Sequence, residues 1–177
     1  MVPCARMQSP LRRCEHNPII VPEQMPFPCY SVMNAGAILY NGKVLLLLRA
    51  ETRERTCCFV KATGAHGIHF DIEPEPIDYP LNGYEKLFGA ALRFDMRITQ
   101  IDGCYYCCHA AWMPTWGCTI AMCKTEDFEH FEPLHYMSPP INRNAVLFPE
   151  KIGGLYCRLE RPQTLKFRIN PAVFFAV

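Results

Sequence analysis

The chain has 177 residues, of which 50% are hydrophobic and 20% charged, so it has the composition of a globular protein with enough apolar material for a core. Its formal net charge is +1 and its basic residues are scattered, which argues against nucleic acid or an anionic membrane as a partner. Since no stretch approaches the roughly 18 apolar residues of a membrane span or resembles a signal peptide, we expect a cytoplasmic protein with no membrane partner.

The cysteines are predicted to be free thiols. There are eleven of them, an odd number, and a reduced cytoplasmic environment fits such a set. Cys104 and Cys107 have the spacing of a metal-binding pair, but they lie in an aromatic-rich run that predicts a strand, where positions three apart point to opposite faces. We therefore expect no metal site.

Two hairpin turns are the first predicted elements along the chain. Asn41-Gly42 and Asp102-Gly103 each separate two strand-like runs, and such pairs favour tight hairpins because both turn residues take a positive φ. The two turns lie 61 residues apart. A separation of this kind predicts an internal repeat.

A second pair of segments recurs at the same distance. The run ending at Phe70 resembles the run ending at Phe131, again 61 residues later, and a third hairpin is predicted at Lys151–Cys157. Helical periodicity is almost absent, and the 16 prolines fall between the apolar runs. The pattern predicts an all-β chain of about two and a half four-stranded units, the size of β-propeller blades.

The repeat also predicts the domain organisation. We expect an N-terminal extension over residues 1–16, a partial β-propeller over residues 17–162, and an atypical C-terminal tail over residues 163–177. A propeller closes by packing its last blade on its first, so an incomplete ring would expose sheet faces and edges. Self-association as a homo-oligomer is a further expectation.

Several polar residues stand where a strand pattern would tolerate other types, and they are spread over all the predicted blades. They are Asn34, Arg49, Asp95, Arg97, Arg143, Lys151 and Arg161. Residues so distant in sequence converge only if each blade contributes one or two of them to a common axis, where propellers build their sites.

Five segments together resemble successive motifs of glycoside hydrolase family 130, the mannoside phosphorylases. They are Val32–Ala37, Gly42–Arg49, Asp95–Thr99, Asn142–Gly154 and Arg158–Pro162, and their order and spacing match those of the family. The last of them most resembles the branch that phosphorolyses mannosyl-glucose. The resemblance covers residues 17 to 162 and implies a five-bladed β-propeller, of which this chain would hold about half.

The resemblance also implies roles for individual residues. Asp95 is expected to be the general acid, and Arg49 and Arg143 are expected to bind phosphate. Substrate contacts are implied for Asn34, Arg97, Asn144, Lys151 and Arg161. The partners would be a β-mannoside and inorganic phosphate as co-substrate, with no cofactor and no metal.

Elementary chemistry supports these roles. An inverting glycosidase needs one carboxylic acid for the leaving oxygen and a second carboxylate to activate water. Phosphate is already a nucleophile, so cationic groups that hold it replace the second carboxylate. Arginine suits this task because its planar guanidinium donates two hydrogen bonds to one phosphate and keeps its charge.

The chain departs from the family where the acid is aimed, and other functions stay open. Met96 stands where the family has proline, and Ala35 stands in a motif that usually reads Asn-Pro-Gly or Asn-Ser-Gly. A proline would fix the backbone of that turn, so its absence leaves the orientation of Asp95 open. The alternatives are a β-mannosidase of the same family and a non-catalytic carbohydrate-binding fragment.

Overall fold

The computed structural model describes residues 12–88, 92–115, 117–162 and 174–176. Apart from a 3-10 helix at Pro22–Gln24 and the short helix α1 at Gly83–Phe88, the regular structure in these residues is β. The strands are β1 (Cys29–Tyr40), β2 (Lys43–Thr52), β3 (Cys57–Gly64), β4 (Asp71–Ile72), β5 (Leu92–Ile101), β6 (Cys104–Met113), β7 (Gly117–Thr125), β8 (Glu132–Tyr136), β9 (Asn142–Leu147), β10 (Arg158–Pro162) and β11 (Phe174–Ala176). The prediction of an all-β chain is confirmed.

The strands form three antiparallel sheets. The first sheet has the order β1-β2-β3-β4, and the second has the order β5-β6-β7-β8. The third sheet has the order β11-β10-β9. Each four-stranded sheet is a simple meander, as expected when neighbouring strands are joined by short turns. The predicted domain limits at residues 16 and 162 remain predictions, and most of residues 1–16 and 163–177 lie outside the described part of the chain.

The predicted repeat is present in the backbone of the first two sheets. Strands β2 and β6 begin 61 residues apart and end 61 residues apart. Asn41 and Asp102 have φ angles of 50° and 52°, and the glycines that follow them have φ angles of 75° and 82°. The two turn types predicted from the sequence are therefore in equivalent places.

The third sheet does not keep this spacing. Gly153 and Gly154 do form a turn with positive φ, flanked by the Ile152–Leu155 bridge, but it lies in a long connection between β9 and β10. Only residues 137–141 join β8 to β9, whereas residues 73–91, with helix α1, join β4 to β5. The third turn consequently comes closer to the second than one full repeat.

Apolar side chains pack the sheets face to face. Leu47, Met96 and Phe128 are among the buried residues between the first and second sheets. Ile120 and Leu147 belong to a second cluster, which joins the second sheet to the third. Full burial of such a side chain stabilises a fold by about 1.5–3 kcal/mol. The three sheets are thus held as a stack, which fixes the positions of β1, β5 and β9 relative to one another.

The thiols and helices of residues 12–88, 92–115, 117–162 and 174–176 bear on the expectations about cysteines and membranes. The ten cysteines in that part of the chain are free thiols, and no helix there is long and apolar enough to cross a membrane. Across the same residues no group of three or more His, Cys, Asp or Glu side chains is placed to hold a metal ion.

Candidate functional site

The site begins at two matching irregularities in strands β1 and β5. Each strand has a β-bulge, between Met33 and Gly36 in β1 and between Phe94 and Arg97 in β5. β-bulges redirect side chains and are frequent beside active sites. The two bulges occupy equivalent positions in the 61-residue repeat, so both aim a polar side chain at the same place.

Asn34 and Asp95 are the residues that these bulges redirect. Their φ angles are 51° and 61°, in the left-handed region that Asn and Asp tolerate better than other residues with a side chain. Met96, which stands where the family that the sequence resembles has proline, is 1% exposed and packs in the core between the sheets. The bulge that aims Asp95 is therefore formed without a proline, with the Met96 side chain as its anchor.

The Asp95 carboxylate accepts hydrogen bonds from Asn34 and Arg49, and a hydrogen bond from the Asn144 side chain also lowers its pKa. Nδ2 of Asn34 donates to Oδ1 of Asp95 at 2.9 Å, and Nη1 of Arg49 donates to the same oxygen at 3.1 Å. Burial alone raises the pKa of Asp95, but the hydrogen bonds from Asn34 and Arg49 outweigh it and hold that pKa below the ordinary aspartate value. In this state Asp95 is a carboxylate at neutral pH.

Arg49 joins Asp95 to a second carboxylate. Its Nη2 donates to Oε1 of Glu51 at 3.1 Å, and Oε2 of Glu51 accepts the Ser31 hydroxyl at 2.8 Å. The Arg49 guanidinium also lies over the Phe94 ring, 5.0 Å from its centroid. Both terminal nitrogens of Arg49 are thus occupied by carboxylates.

The third sheet brings further cations to the same place. The Arg143 guanidinium lies over the same Phe94 ring, 5.2 Å from its centroid. Arg161 donates from Nη2 to Oδ1 of Asn144 at 2.6 Å. The Nε atoms of Arg143 and Arg161 are buried and have no hydrogen-bond partner within the described ranges. They are donors to which a bound anion could connect.

These residues surround one open cavity of about 630 Å³. Its polar lining comes from all three sheets: Asn34 from the first, Asp95 and Arg97 from the second, and Arg143, Asn144, Glu160 and Arg161 from the third. Arg49 lies behind Asp95. The predicted convergence of Asn34, Arg49, Asp95 and Arg143 is therefore observed, while the chemical roles assigned to them remain predictions.

Arg97 and Lys151 have surroundings that the sequence did not indicate. Nη1 of Arg97 donates to the backbone oxygens of Asn34, at 3.1 Å, and of Met96, at 2.8 Å, so this side chain ties the two bulges together. Lys151 pairs with Asp102 at 2.7 Å, at the far end of β5 from Asp95. Asp95 and Asp102 are seven positions apart along an extended chain, roughly 20 Å. The structure does not bring Lys151 to the cavity.

Three residues at the site were missed in the sequence. Glu51 and Phe94 are contact partners of Arg49, and Glu160 lines the cavity while pairing with Arg158 at 3.3 Å. Glu51 could have been found from strand alternation, because residues two positions apart in a strand, such as Arg49 and Glu51, lie on the same face. Glu160 lies inside the Arg158–Pro162 motif but was assigned no role, and no motif covers Phe94.

Comparison with known proteins identifies phosphorylases as relatives. No protein-family model matches the chain. The chain is 31% identical over 158 residues to β-1,4-mannooligosaccharide phosphorylase of Ruminococcus albus, over 85% of this chain and 46% of that protein. It is 27% identical over 208 residues to β-1,2-mannobiose phosphorylase of Listeria innocua, over 85% of this chain and 57% of that protein.

The fold agrees with the sequence comparison. The solved complex of the Listeria innocua β-1,2-mannobiose phosphorylase with β-1,2-mannobiose superposes with a TM-score of 0.75 and 26% identity, over 92% of this chain and 61% of that one. The chain spans about half the length of the curated relatives it matches. Relatives named for β-1,2 and β-1,4 linkages match at similar identity, so the mannosyl-glucose branch remains a prediction.

Proposed function

We propose that this chain, a partial-length homologue of the β-mannoside phosphorylases of glycoside hydrolase family 130, carries the acid side of a site for inverting phosphorolysis of β-mannosides. The products would be mannose 1-phosphate and a shortened acceptor. The observation that carries the proposal is the Asp95 carboxylate on a cavity whose other charged lining is Arg97, Arg143, Arg161 and Glu160, with Glu160 paired to Arg158 at 3.3 Å.

Arg143 and Arg161 are suited to hold the attacking phosphate. Both line the cavity with Asp95, and each has a buried Nε without a hydrogen-bond partner in the part of the chain that the structure describes. An arginine can direct two parallel N–H donors at one phosphate, which fixes the orientation of the anion as well as its position. Arg49 would contribute to phosphate binding only after releasing at least one of its carboxylate partners, Asp95 or Glu51.

Asp95 would supply the proton for the leaving oxygen. In the structure its Oδ1 already accepts two hydrogen bonds, from Asn34 and Arg49, so the proton of the acid form belongs on Oδ2. A phosphate placed beside the arginines adds negative charge near the carboxyl, and a bound sugar excludes water from it. Both changes raise the pKa of a carboxyl group, so protonation would accompany substrate binding. Asn34 would hold the carboxyl and contact the mannosyl unit.

The three sheets would be successive blades of a five-bladed β-propeller. The repeated four-strand order of the first two sheets and the packing of β1, β5 and β9 support this assignment. The remaining blades would supply the rest of the phosphate and sugar contacts. In-line attack needs both substrates held together, and a misplacement of about 1 Å can cost roughly a hundredfold in rate. We therefore propose that the chain alone is weakly active or inactive, that it works without a cofactor in the cytoplasm, and that its open faces favour self-association.

The test is a phosphate-dependent assay on a panel of β-mannosides. The chain would be assayed alone and after fusion to the remaining blades of the Ruminococcus albus relative. We expect mannose 1-phosphate from the fusion, little from the chain alone, and at least a hundredfold loss in the Asp95→Asn fusion, since general acids contribute about 10²–10⁴-fold. Asp71→Asn, a change at an exposed aspartate of β4, is the matched control.

Three outcomes would contradict the proposal. Free mannose released at the same rate with and without phosphate would indicate a hydrolase. Turnover by the chain alone at the rate of the fusion would show that the missing blades contribute nothing to the site. An Asp95→Asn fusion as active as the Asp71→Asn control would remove Asp95 from the reaction.

A further inference from the structure

Glu51 is the second carboxylate, after Asp95, that contacts the Arg49 guanidinium in the described part of the chain. Its Oε1 accepts Arg49 Nη2 at 3.1 Å, and its Oε2 accepts the Ser31 hydroxyl at 2.8 Å. The Glu51 side chain is 24% exposed, against 12% for Arg49 and 6% for Asp95. The hydrogen bond from Ser31, followed by the charge of Arg49, holds the pKa of Glu51 below the ordinary glutamate value. Glu51 is therefore an ionised, anchored acceptor.

The contacts form one continuous chain across strands β1, β2 and β5. Ser31 fixes Glu51, Glu51 takes one terminal nitrogen of Arg49, and the other terminal nitrogen reaches Asp95 at 3.1 Å. The Nε of Arg49 is buried without a hydrogen-bond partner among the described residues. Arginine has many rotamers, and a position over the Phe94 ring does not by itself fix the direction of the terminal nitrogens. The contact with Glu51 supplies that missing restraint.

We infer that Glu51 is a positioning residue that locks the Arg49 guanidinium against the Asp95 carboxylate and so sets the protonation of the acid. Among the described residues it neither lines the cavity nor hydrogen-bonds to Asp95, and it acts through Arg49. The inference rests on the proposed role of Asp95, but its test does not require turnover.

Other charged or titratable groups also face Asp95. They are Arg49 and Glu51 on β2, Cys57 on β3, Arg97 on β5, Cys118 on β7, Arg143 on β9, and Glu160 and Arg161 on β10. Direct charge effects and positioning predict opposite signs when Glu51 is changed. Removing a nearby negative charge would lower the pKa of Asp95, whereas releasing Arg49 would raise it. The sign of the change therefore separates the two explanations.

The experiment measures the pKa of the Asp95 carboxyl by carbon-13 NMR in the 177-residue chain labelled at aspartate, with the Asp95→Asn spectrum as the assignment. Glu51→Asp keeps the charge but is one methylene too short to reach Arg49. Glu51→Gln keeps the length and the acceptor oxygen but loses the charge. Glu75→Gln, at an exposed glutamate of the same sheet's loop, is the control.

We expect a rise of about one pH unit in Glu51→Asp, the low end of the effect of an arginine on a neighbouring aspartate. Glu51→Gln should show no rise, and Glu75→Gln no change. Ser31→Ala, which removes only the anchor of Glu51, should give a smaller rise and serves as a second reading if Glu51→Asp unfolds. An unchanged or lowered pKa in Glu51→Asp and Ser31→Ala would overturn the inference, as would equal rises in Glu51→Asp and Glu51→Gln. None of these outcomes depends on whether Asp95→Asn abolishes phosphorolysis.

Discussion

The buried ion pair between Glu85 and Arg93 gives the sharpest test of how the fold supports the site. Arg93 lies on β5 two residues before Asp95, and Glu85 lies on helix α1. Arg93 Nε and Nη2 donate to the two carboxylate oxygens at 2.9 Å and 2.5 Å, and its Nη1 donates to the Tyr79 backbone oxygen at 2.9 Å. The pair connects the start of β5 to the segment that precedes it.

Glu85→Ala should therefore destabilise the protein strongly. Glu85 is 1% exposed and Arg93 8%, so the change leaves a guanidinium charge buried without its partner, which costs about 3–5 kcal/mol. The Glu85 side chain also accepts the Asn82 backbone N–H at 2.9 Å, so the cap of α1 is lost as well. Urea unfolding followed by tryptophan fluorescence would measure the loss, and the melting temperature should fall by at least about 6 °C.

An exposed pair of the same chemistry is the matched control. Lys124 and Glu132 are 2.9 Å apart with Glu132 62% exposed, so Glu132→Ala should cost about 0–1 kcal/mol. Adding Arg93→Met to Glu85→Ala should recover part of the loss, because it removes the unpaired charge. A Glu85→Ala variant that loses less than about 1 kcal/mol, or a double variant less stable than the single one, would refute this reasoning.

Two further predictions concern packing and pH. Gly36→Ala should lower the free energy of unfolding by about 1–3 kcal/mol, because the added Cβ would lie 2.8 Å from the Met96 backbone oxygen. The control Gly83→Ala has open space around its Cβ and should leave stability unchanged. Equal urea midpoints for the two variants would contradict this prediction. His109 is buried, and its desolvation, together with the smaller effect of the Arg93 charge, lowers its pKa to about 3. The unfolded chain therefore takes up a proton as pH falls below about 6.5 while the folded chain stays neutral, so stability should drop by about 2 kcal/mol between pH 7 and pH 5. His109→Phe should remove that drop, and an unchanged pH dependence of its urea midpoint would count against the assignment.

The local elements could be predicted from the sequence because their signals are local. Asn41-Gly42 and Asp102-Gly103 require positive φ whatever surrounds them, and the 61-residue spacing then fixed the register of two whole sheets. The third sheet broke the spacing because the length of a connection is limited by packing and not by turn chemistry. The short link before Asn142 leaves no signal of its own in the sequence.

The site could be predicted only in part, because a motif is a local signal and a contact between distant side chains is not. Asp95, Asn34 and Arg143 were found through motifs, and the structure brings them to one cavity. Glu51 was missed because its importance lies in a contact with Arg49 that depends on side-chain reach. Lys151 belongs to a motif as well, yet it faces Asp102, since a motif gives residue type and order but not the end of the sheet on which a side chain lies.

The equivalence of Asn34 and Asp95 explains why only one of the two matching bulges presents a carboxylate. The two residues sit in matching bulges, with the same left-handed backbone, and their side chains meet at 2.9 Å. Two carboxylates at that distance would share a proton, and one of them would titrate well above the ordinary range. An amide at position 34 instead donates to Asp95 and keeps it a single, defined charge. A hydrolase would need a second carboxylate at a distance that leaves room for water. In this chain the equivalent bulge position holds a donor to Asp95, and the other carboxylate on the cavity, Glu160, is paired with Arg158 at 3.3 Å. This arrangement agrees with the proposal that phosphate is the nucleophile.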